Sequence, residues 1–200
     1  MKHKVPSDLP VSRETAERLA NYVDLVRKWN RTINLVSRHD VDHLWDRHVR
    51  DSLNLLPHLP PNFTAAIDLG SGGGFPGVVL AIATRKPFSL IEADHRKAAF
   101  LREATRATGA RITVHAIRAE TAALPPAELI TARALAPLPL LLEWATPLLL
   151  PNGVCVFPKG RTVEEELTAA RTQWHMRVEQ WPSPLDPSAR ILRLSEISRV

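Results

Sequence analysis

Residues 67–77 read Ile67-Asp68-Leu69-Gly70-Ser71-Gly72-Gly73-Gly74-Phe75-Pro76-Gly77, and their order decides the fold. The apolar run Ala65-Ala66-Ile67 leads into Asp68. Three glycines alternate at 70, 72 and 74, and Val78-Val79-Leu80-Ala81-Ile82-Ala83 follows Pro76. The pattern is a strand, a glycine loop and the start of a helix. Glycine permits sharp turns at positive φ and lets a ligand lie against bare main chain. The helix N-terminus behind the loop offers unpaired N–H groups at the positive end of a dipole. Such a loop holds a nucleotide-like ligand.

Gly72-x-Gly74-x-x-Gly77 satisfies the dinucleotide fingerprint, and Glu92 stands where a ribose-binding acid is expected, roughly 20 residues on. Asp68 and Pro76 argue against a pyrophosphate. A carboxylate two residues before the first glycine repels phosphate and suits a cationic ligand. A proline at the first helical position removes an N–H from an anion cradle. Both details suit S-adenosylmethionine, which carries an ammonium and a sulfonium and no phosphate. A nicotinamide dehydrogenase and a glycine turn without a ligand are the competing readings.

The chain has 200 residues, the size of one α/β domain with a short extension. Its net charge is +5 and its pI about 9.9. Arg85, Lys86, Arg96, Lys97, Arg102, Arg106, Arg111 and Arg118 face only Glu92, Asp94 and Glu103 in the same segment. That excess favours an anionic partner, nucleic acid before membrane; a solvated helix face is the alternative. Cys155 is the single cysteine, so no intramolecular disulfide forms, and its apolar neighbours make it a core residue. Met1-Lys2-His3-Lys4-Val5-Pro6 has no apolar signal region behind it, and no stretch reaches membrane-spanning length. The expected location is cytoplasmic and reducing.

Residues 1–61 read as a helical extension. Ser12 caps a helix with Leu19, Tyr22, Val23, Val26 and Trp29 on one face, and a second helix runs from about Asp40 through Val41, Leu44, Trp45, His48, Val49, Ser52 and Leu56. From residue 62 strands and helices alternate. Strands are expected at Phe63–Asp68, Phe88–Glu92, Arg111–Ile117, Leu129–Ala132, Gly153–Phe157, Met176–Trp181 and Ile191–Ile197. Helices are expected at Pro76–Thr84, His95–Thr108, Pro139–Leu149 and from the capping-box spacing at Thr162 to about Trp174. This order implies an α/β fold whose mainly parallel sheet is covered on both faces, closed by a hairpin.

In such a sheet ligands bind beyond the carboxyl ends of the strands. Four features fall there: the glycine loop; Glu92, able to take both ribose hydroxyls; Ala119-Glu120, where an adenine edge would lie; and Arg133. An arginine cannot serve as a base, but it can hold a carboxylate or contact a guanine. His39 and His43 have the spacing of a metal pair without a third ligand, so no metal is expected. His48 sits on the apolar face of its helix and reads as a packed histidine. Trp29 and Trp45 read as core.

Taken together, these residues resemble the RsmG (GidB) family, bacterial methyltransferases of small-subunit ribosomal RNA. The resemblance is carried by Asp68-Leu69-Gly70-Ser71-Gly72-Gly73-Gly74-Phe75-Pro76-Gly77. It is carried also by Lys28-Trp29-Asn30, Asn34-Leu35-Val36-Ser37, Arg47-His48 with Asp51-Ser52, Arg118-x-Glu120, Arg133-Ala134 and Lys159-Gly160. It covers about residues 20–165. It implies a class I S-adenosylmethionine-dependent methyltransferase, a Rossmann-like domain over 62–200 with a seven-stranded sheet and an N-terminal helical cap over 1–61. The implied reaction is methyl transfer to N7 of a guanine in the 530 loop of 16S ribosomal RNA, on naked RNA or the small subunit, by a monomer. It implies cofactor contacts by Asp68, Gly70, Gly72, Gly74, Phe75, Glu92, Ala119, Glu120 and Arg133. Thr121 stands where the family commonly has a second acid. Arg133, His48 and Lys159 are the implied positioning residues, and Asn34, Arg47, Arg96, Lys97 and Lys159 the candidates for RNA contact.

Guanine N7 has an in-plane lone pair and no proton. Its methylation needs no general base, only in-line placement and a polar pocket for the charge that moves to the base. Phosphate contacts should make RNA binding strongly salt-dependent. A small-molecule methyltransferase and a non-catalytic RNA-binding protein with a relict pocket are the alternatives on the same fold.

Overall fold

The computed structural model describes residues 5–6 and 8–200. Of the N-terminal stretch read for a signal, Met1 to Pro6, the first four residues lie outside them.

Seven strands form one sheet in the order β3-β2-β1-β4-β5-β7-β6. They are β1 Ala66–Leu69, β2 Phe88–Ile91, β3 Ile112–His115, β4 Ala127–Ala132, β5 Leu149–Lys159, β6 Trp174–Pro182 and β7 Arg190–Arg199. The first five pair in parallel, and β7 pairs antiparallel with both β5 and β6. The α/β expectation with a closing hairpin describes this sheet. β5 is longer than expected at both ends: it begins at Leu149, because the helix expected to reach that residue stops at Ala145, and it runs past Phe157 to Lys159, two residues nearer the site. Glu92 falls just past β2 instead of ending it.

The helices are α1 Arg13–Trp29, α2 Asp51–Leu53, α3 Gly77–Thr84, α4 His95–Thr108, α5 Leu138–Ala145 and α6 Val163–Arg171. Ser12 caps α1, its Oγ accepting from the Thr15 N–H at 3.2 Å. Gly109 ends α4 at φ +61°, a left-handed position that costs glycine nothing. Pro76 is the residue before α3, not its first helical residue. The capping box expected at Thr162 does not form; its hydroxyl donates to Glu166, one residue beyond Glu165. The helix expected from Asp40 to Leu56 is three short pieces: a 3-10 turn at Val41–His43, a π-helical run at Trp45–Arg50 and α2. A π turn widens the helix by one residue and recurs at functional sites.

One apolar cluster joins α1, α3, α4 and the Trp45–Leu55 region to the outer face of β1, β2 and β4. A second packs α5 and α6 against the opposite face. The first cluster includes Leu19, Tyr22, Val26, Leu44, Val49, Phe75, Val78 and Phe100, so the N-terminal helices and the glycine loop share a core. Trp45 is buried in it, and Trp29 packs its edge on Phe100 with ring centroids 5.8 Å apart. No described helix is long and apolar enough to cross a membrane.

Candidate active site

Strand order reverses between β1 and β4, and the carboxyl ends of both strands open on two adjoining clefts. The smaller has a volume of about 680 Å³. Its floor is Gly70, Ser71, Gly72, Gly73 and Phe75, and Glu92, Lys97, Ala119, Glu120 and Arg133 also line it. Ile91, Ile117, Leu135 and Trp144 add apolar lining suited to a flat ring. Trp144 reads in the sequence as one more apolar residue of α5; nothing in its spacing marks it as cleft lining.

Glu92 is 8% exposed. Its carboxylate accepts from the Gly72 N–H at 2.7 Å and the Asp94 N–H at 2.8 Å. These two bonds fix its orientation at the cleft. Gly70 sits at φ +62°, and a Cβ there would run into Leu135. The loop therefore needs glycine both for its backbone and for the wall opposite.

Two expected cofactor contacts stand elsewhere. Asp68 is buried behind the loop at 1% exposure. Its Oδ1 accepts from the Thr131 hydroxyl at 2.6 Å, and its Oδ2 faces Gly77 at the start of α3. A side chain on β1 points to one face of the sheet, and at this register that face is the one covered by α3. The carboxylate thus braces strand against helix instead of meeting a cationic ligand directly. Gly74, at φ +90°, faces the Tyr22 hydroxyl, Val78 and Leu101. Its bare Cα admits α1, not a ligand. Tyr22, which periodicity marks only as core, donates its hydroxyl to the Gly73 carbonyl and lies tilted against Phe75, ring centroids 5.2 Å apart.

Burial pushes the Asp68 carboxyl up to about 6, against the pull of Thr131, Ser71 and Arg133. The folded protein therefore holds this proton more tightly than the unfolded chain. Its stabilising contribution is full below about pH 4 and is lost as pH rises through 6, at about 1.4 kcal/mol per unit in that window. Asp68→Asn should flatten this part of the curve. Urea unfolding of both proteins from pH 4 to 7 checks it, and parallel curves would refute the assignment.

Arg133 follows β4 and reaches back across the N-terminal segment. Its Nη2 donates to His48 Nδ1 at 2.6 Å, and its Nη1 to Asp51 Oδ2 at 3.2 Å and the Arg47 carbonyl at 3.3 Å. Its guanidinium lies 5.5 Å from the centre of the Phe75 ring, and the His48 ring centroid is 4.9 Å from the same ring. A guanidinium only donates, so His48 Nδ1 is the acceptor and the proton sits on Nε2. Burial, then the Arg133 charge, lowers the His48 pKa to about 4. The imidazole is neutral, with its basic nitrogen already taken.

The larger cleft, about 880 Å³, begins on the other side of Arg133, Ala134 and Leu135, which line both. Ala134 holds φ +51° in this shared wall, a strained position for a residue with a Cβ. The charged lining is balanced: Arg47, Arg133, Lys159 and Arg190 against Asp46, Asp51, Glu166 and Asp186. The Lys159 ammonium is turned into the wall, 2.6 Å from Glu166 and 3.0 Å from the Ala136 carbonyl. It ties the end of β5 to the loop after β4, so its charge is committed before any RNA arrives.

The expected RNA contacts do not gather in one place. Arg47 and Lys159 line the larger cleft, Lys97 the smaller. Asn34 borders a shallow groove with Arg38, and Arg96 is exposed beside Asp94 at the start of α4. The basic segment is also partly tied down: Arg85 meets Glu14 at 2.6 Å, and Lys86 stands 4.1 Å over the Phe63 ring. His39 and His43 have ring centroids 5.7 Å apart. Among the described residues no group of three or more His, Cys, Asp or Glu side chains is placed to hold a metal ion.

The fold resembles that of solved α/β proteins. It aligns with cofactor-bound Rv0187 from MTB at a TM-score of 0.60 and 17% identity, covering 95% of this chain and 93% of that one. It aligns with the N-methyltransferase NodS of Bradyrhizobium japonicum, solved with S-adenosyl-L-homocysteine, at 0.59 and 15%, covering 87% and 96%. At such identities the likeness speaks for the fold alone. The sequence says more. It is 59% identical to the ribosomal RNA small subunit methyltransferase G of Granulibacter bethesdensis, over 98% of this chain and 92% of that protein. It is 57% identical to the protein of that name from Rhodospirillum centenum, over 94% and 87%. With the family profile described as rRNA small subunit methyltransferase G matching residues 15–184, the chain belongs to that family.

Proposed function

We propose that the protein transfers a methyl group from S-adenosylmethionine to N7 of a guanine in the 530 loop of 16S ribosomal RNA. The observation that carries this reading is the meeting of two clefts at one wall in a chain of this family. The glycine-loop cleft suits the cofactor: apolar lining for adenine, the held Glu92 carboxylate for the ribose, and bare main chain at Gly70 and Gly72 for the rest. When bound there, S-adenosylmethionine supplies an electrophilic methyl on a sulfonium. Phe75, Ala119, Glu120 and Arg133 complete the proposed set of contacts. Asp68 and Gly74 act behind it, as brace and as packing surface.

The protein's own task is then to position and to shield. Arg133, clamped by Asp51 and His48, orients groups at the junction. Lys159 holds the wall through Glu166. No side chain needs to remove a proton from guanine N7, in keeping with a neutral, occupied His48. Arg47, Asn34, Arg96 and Lys97 are proposed to meet the RNA, with residues 1–61 acting as a cap on the 62–200 domain. We place the enzyme in the cytoplasm, where its substrate is made, as a monomer without a metal.

The test is to map methylated guanines in small-subunit RNA from cells with and without the protein. The expected result is one 7-methylguanine in the 530 loop that disappears with the gene. An unchanged methylation map, or methyl transfer only to a metabolite, would overturn the reading.

A further inference from the structure

The wall between the clefts carries a hydrogen-bond donor beside an acceptor. A guanidinium has five N–H groups. Arg133 commits three of them, to Asp51, the Arg47 carbonyl and His48. Its Nε–H and one N–H on Nη2 remain. Of the Asp51 carboxylate, only Oδ2 is engaged among the described residues, and Oδ1 is not sealed from the cleft. The two side chains are 19% and 24% exposed. Both line the larger cleft, and Arg133 alone also lines the cofactor cleft.

This order of groups complements the guanine edge and, between the two purines, only that one. Guanine presents the O6 acceptor beside the N1–H and 2-amino donors. Adenine presents a donor at N6 beside an acceptor at N1, the reverse. Guanine N7 neighbours O6. With O6 at Arg133, N7 lies toward the wall shared by both clefts, and the donor edge reaches toward Asp51. The balanced charge of the larger cleft suits a base better than a phosphate, which would call for a surplus of cations.

We propose that the Asp51–Arg133 pair reads the target guanine in the larger cleft, Arg133 donating to O6 and Asp51 Oδ1 accepting from N1–H and the 2-amino group. The proposal rests on the guanine-N7 reading above. It gives Asp51 a part in the rate as well. As N7 forms its bond to the methyl carbon and the carbon–sulfur bond breaks, the electron pair returns to sulfur and positive charge appears on the purine. N1–H becomes more acidic, so a carboxylate bonded to it gains strength in the transition state.

The experiment compares single-turnover methylation of small subunits reconstituted with 16S RNA carrying guanosine or inosine at the mapped nucleotide. Cofactor and substrate are saturating. Inosine keeps N7, O6 and N1–H and lacks only the 2-amino group. The wild type should methylate inosine about tenfold more slowly, and Asp51→Asn should lose about 10- to 100-fold on guanosine while discriminating less than about twofold. Affinity for S-adenosylhomocysteine reports that the variant is folded. An inosine rate equal to guanosine in the wild type overturns the proposal even if the variant fails to fold. An unchanged guanosine-to-inosine ratio in Asp51→Asn overturns it too. If the wild type places no methyl on guanine N7 at all, the underlying function reading has failed and this proposal with it.

Discussion

Gly74→Ala should lower stability by about 3 kcal/mol or more and reduce cofactor affinity at the same time. The residue sits at φ +90°, outside the region an L side chain tolerates, and a Cβ there would come within 2.6 Å of both the Tyr22 hydroxyl and Val78 Cγ2. A left-handed backbone costs about 1–2 kcal/mol and overpacking of a filled core about 1–3 kcal/mol. The neighbours have little room to move. Tyr22 is fully buried and its hydroxyl is bonded to the adjacent Gly73 carbonyl, while Val78 lies in the first turn of α3. Relief by shifting α1 would drag the loop, which is why affinity should fall with stability. Urea unfolding and S-adenosylhomocysteine titration measure the two effects. A loss below about 1 kcal/mol would show that α1 yields to the loop, contrary to the packing described.

Arg133→Ala should reduce single-turnover methyl transfer by about 100-fold or more, with Arg133→Lys recovering little. The side chain spans the junction through three directed bonds and a stack near Phe75. An ammonium on a flexible stem cannot reproduce a planar fork, and misplacement at a reacting centre by about 1 Å costs on the order of 100-fold. A spectroscopic consequence accompanies the kinetic one. Arg133 is the second cause, after burial, of the depressed His48 pKa. Its removal should raise that pKa while burial keeps it below 6.5, which a pH titration of the imidazole resonances can follow. Near-normal turnover in Arg133→Ala, or an unmoved His48 titration, would remove Arg133 from the centre of the site.

Much of this molecule is legible along the chain because its signals are local. A strand, a glycine loop and a helix in succession read as a βα turn, and strands alternating with helices read as a covered, mainly parallel sheet. Once the sheet is parallel, the residues after its strands must gather at one edge. Gly70, Glu92, Ala119 and Arg133 therefore point to a cleft before any coordinate is known. The two closing strands announce themselves by alternation in the same way.

Local signals give a residue's face but not its partner. The sequence determined that this chain is an α/β protein with a glycine loop at a ligand cleft, because backbone conformation and apolar period are properties of neighbouring residues. Only the tertiary structure decided that Asp68 braces β1 against α3, that Gly74 makes room for Tyr22, and that Lys159 belongs to Glu166. It alone brought Arg133 to His48 across 85 residues of chain. Those pairings depend on how whole elements cross. A carboxylate, a glycine or a lysine reads the same along the chain whether a ligand or a neighbouring helix will fill the space beside it.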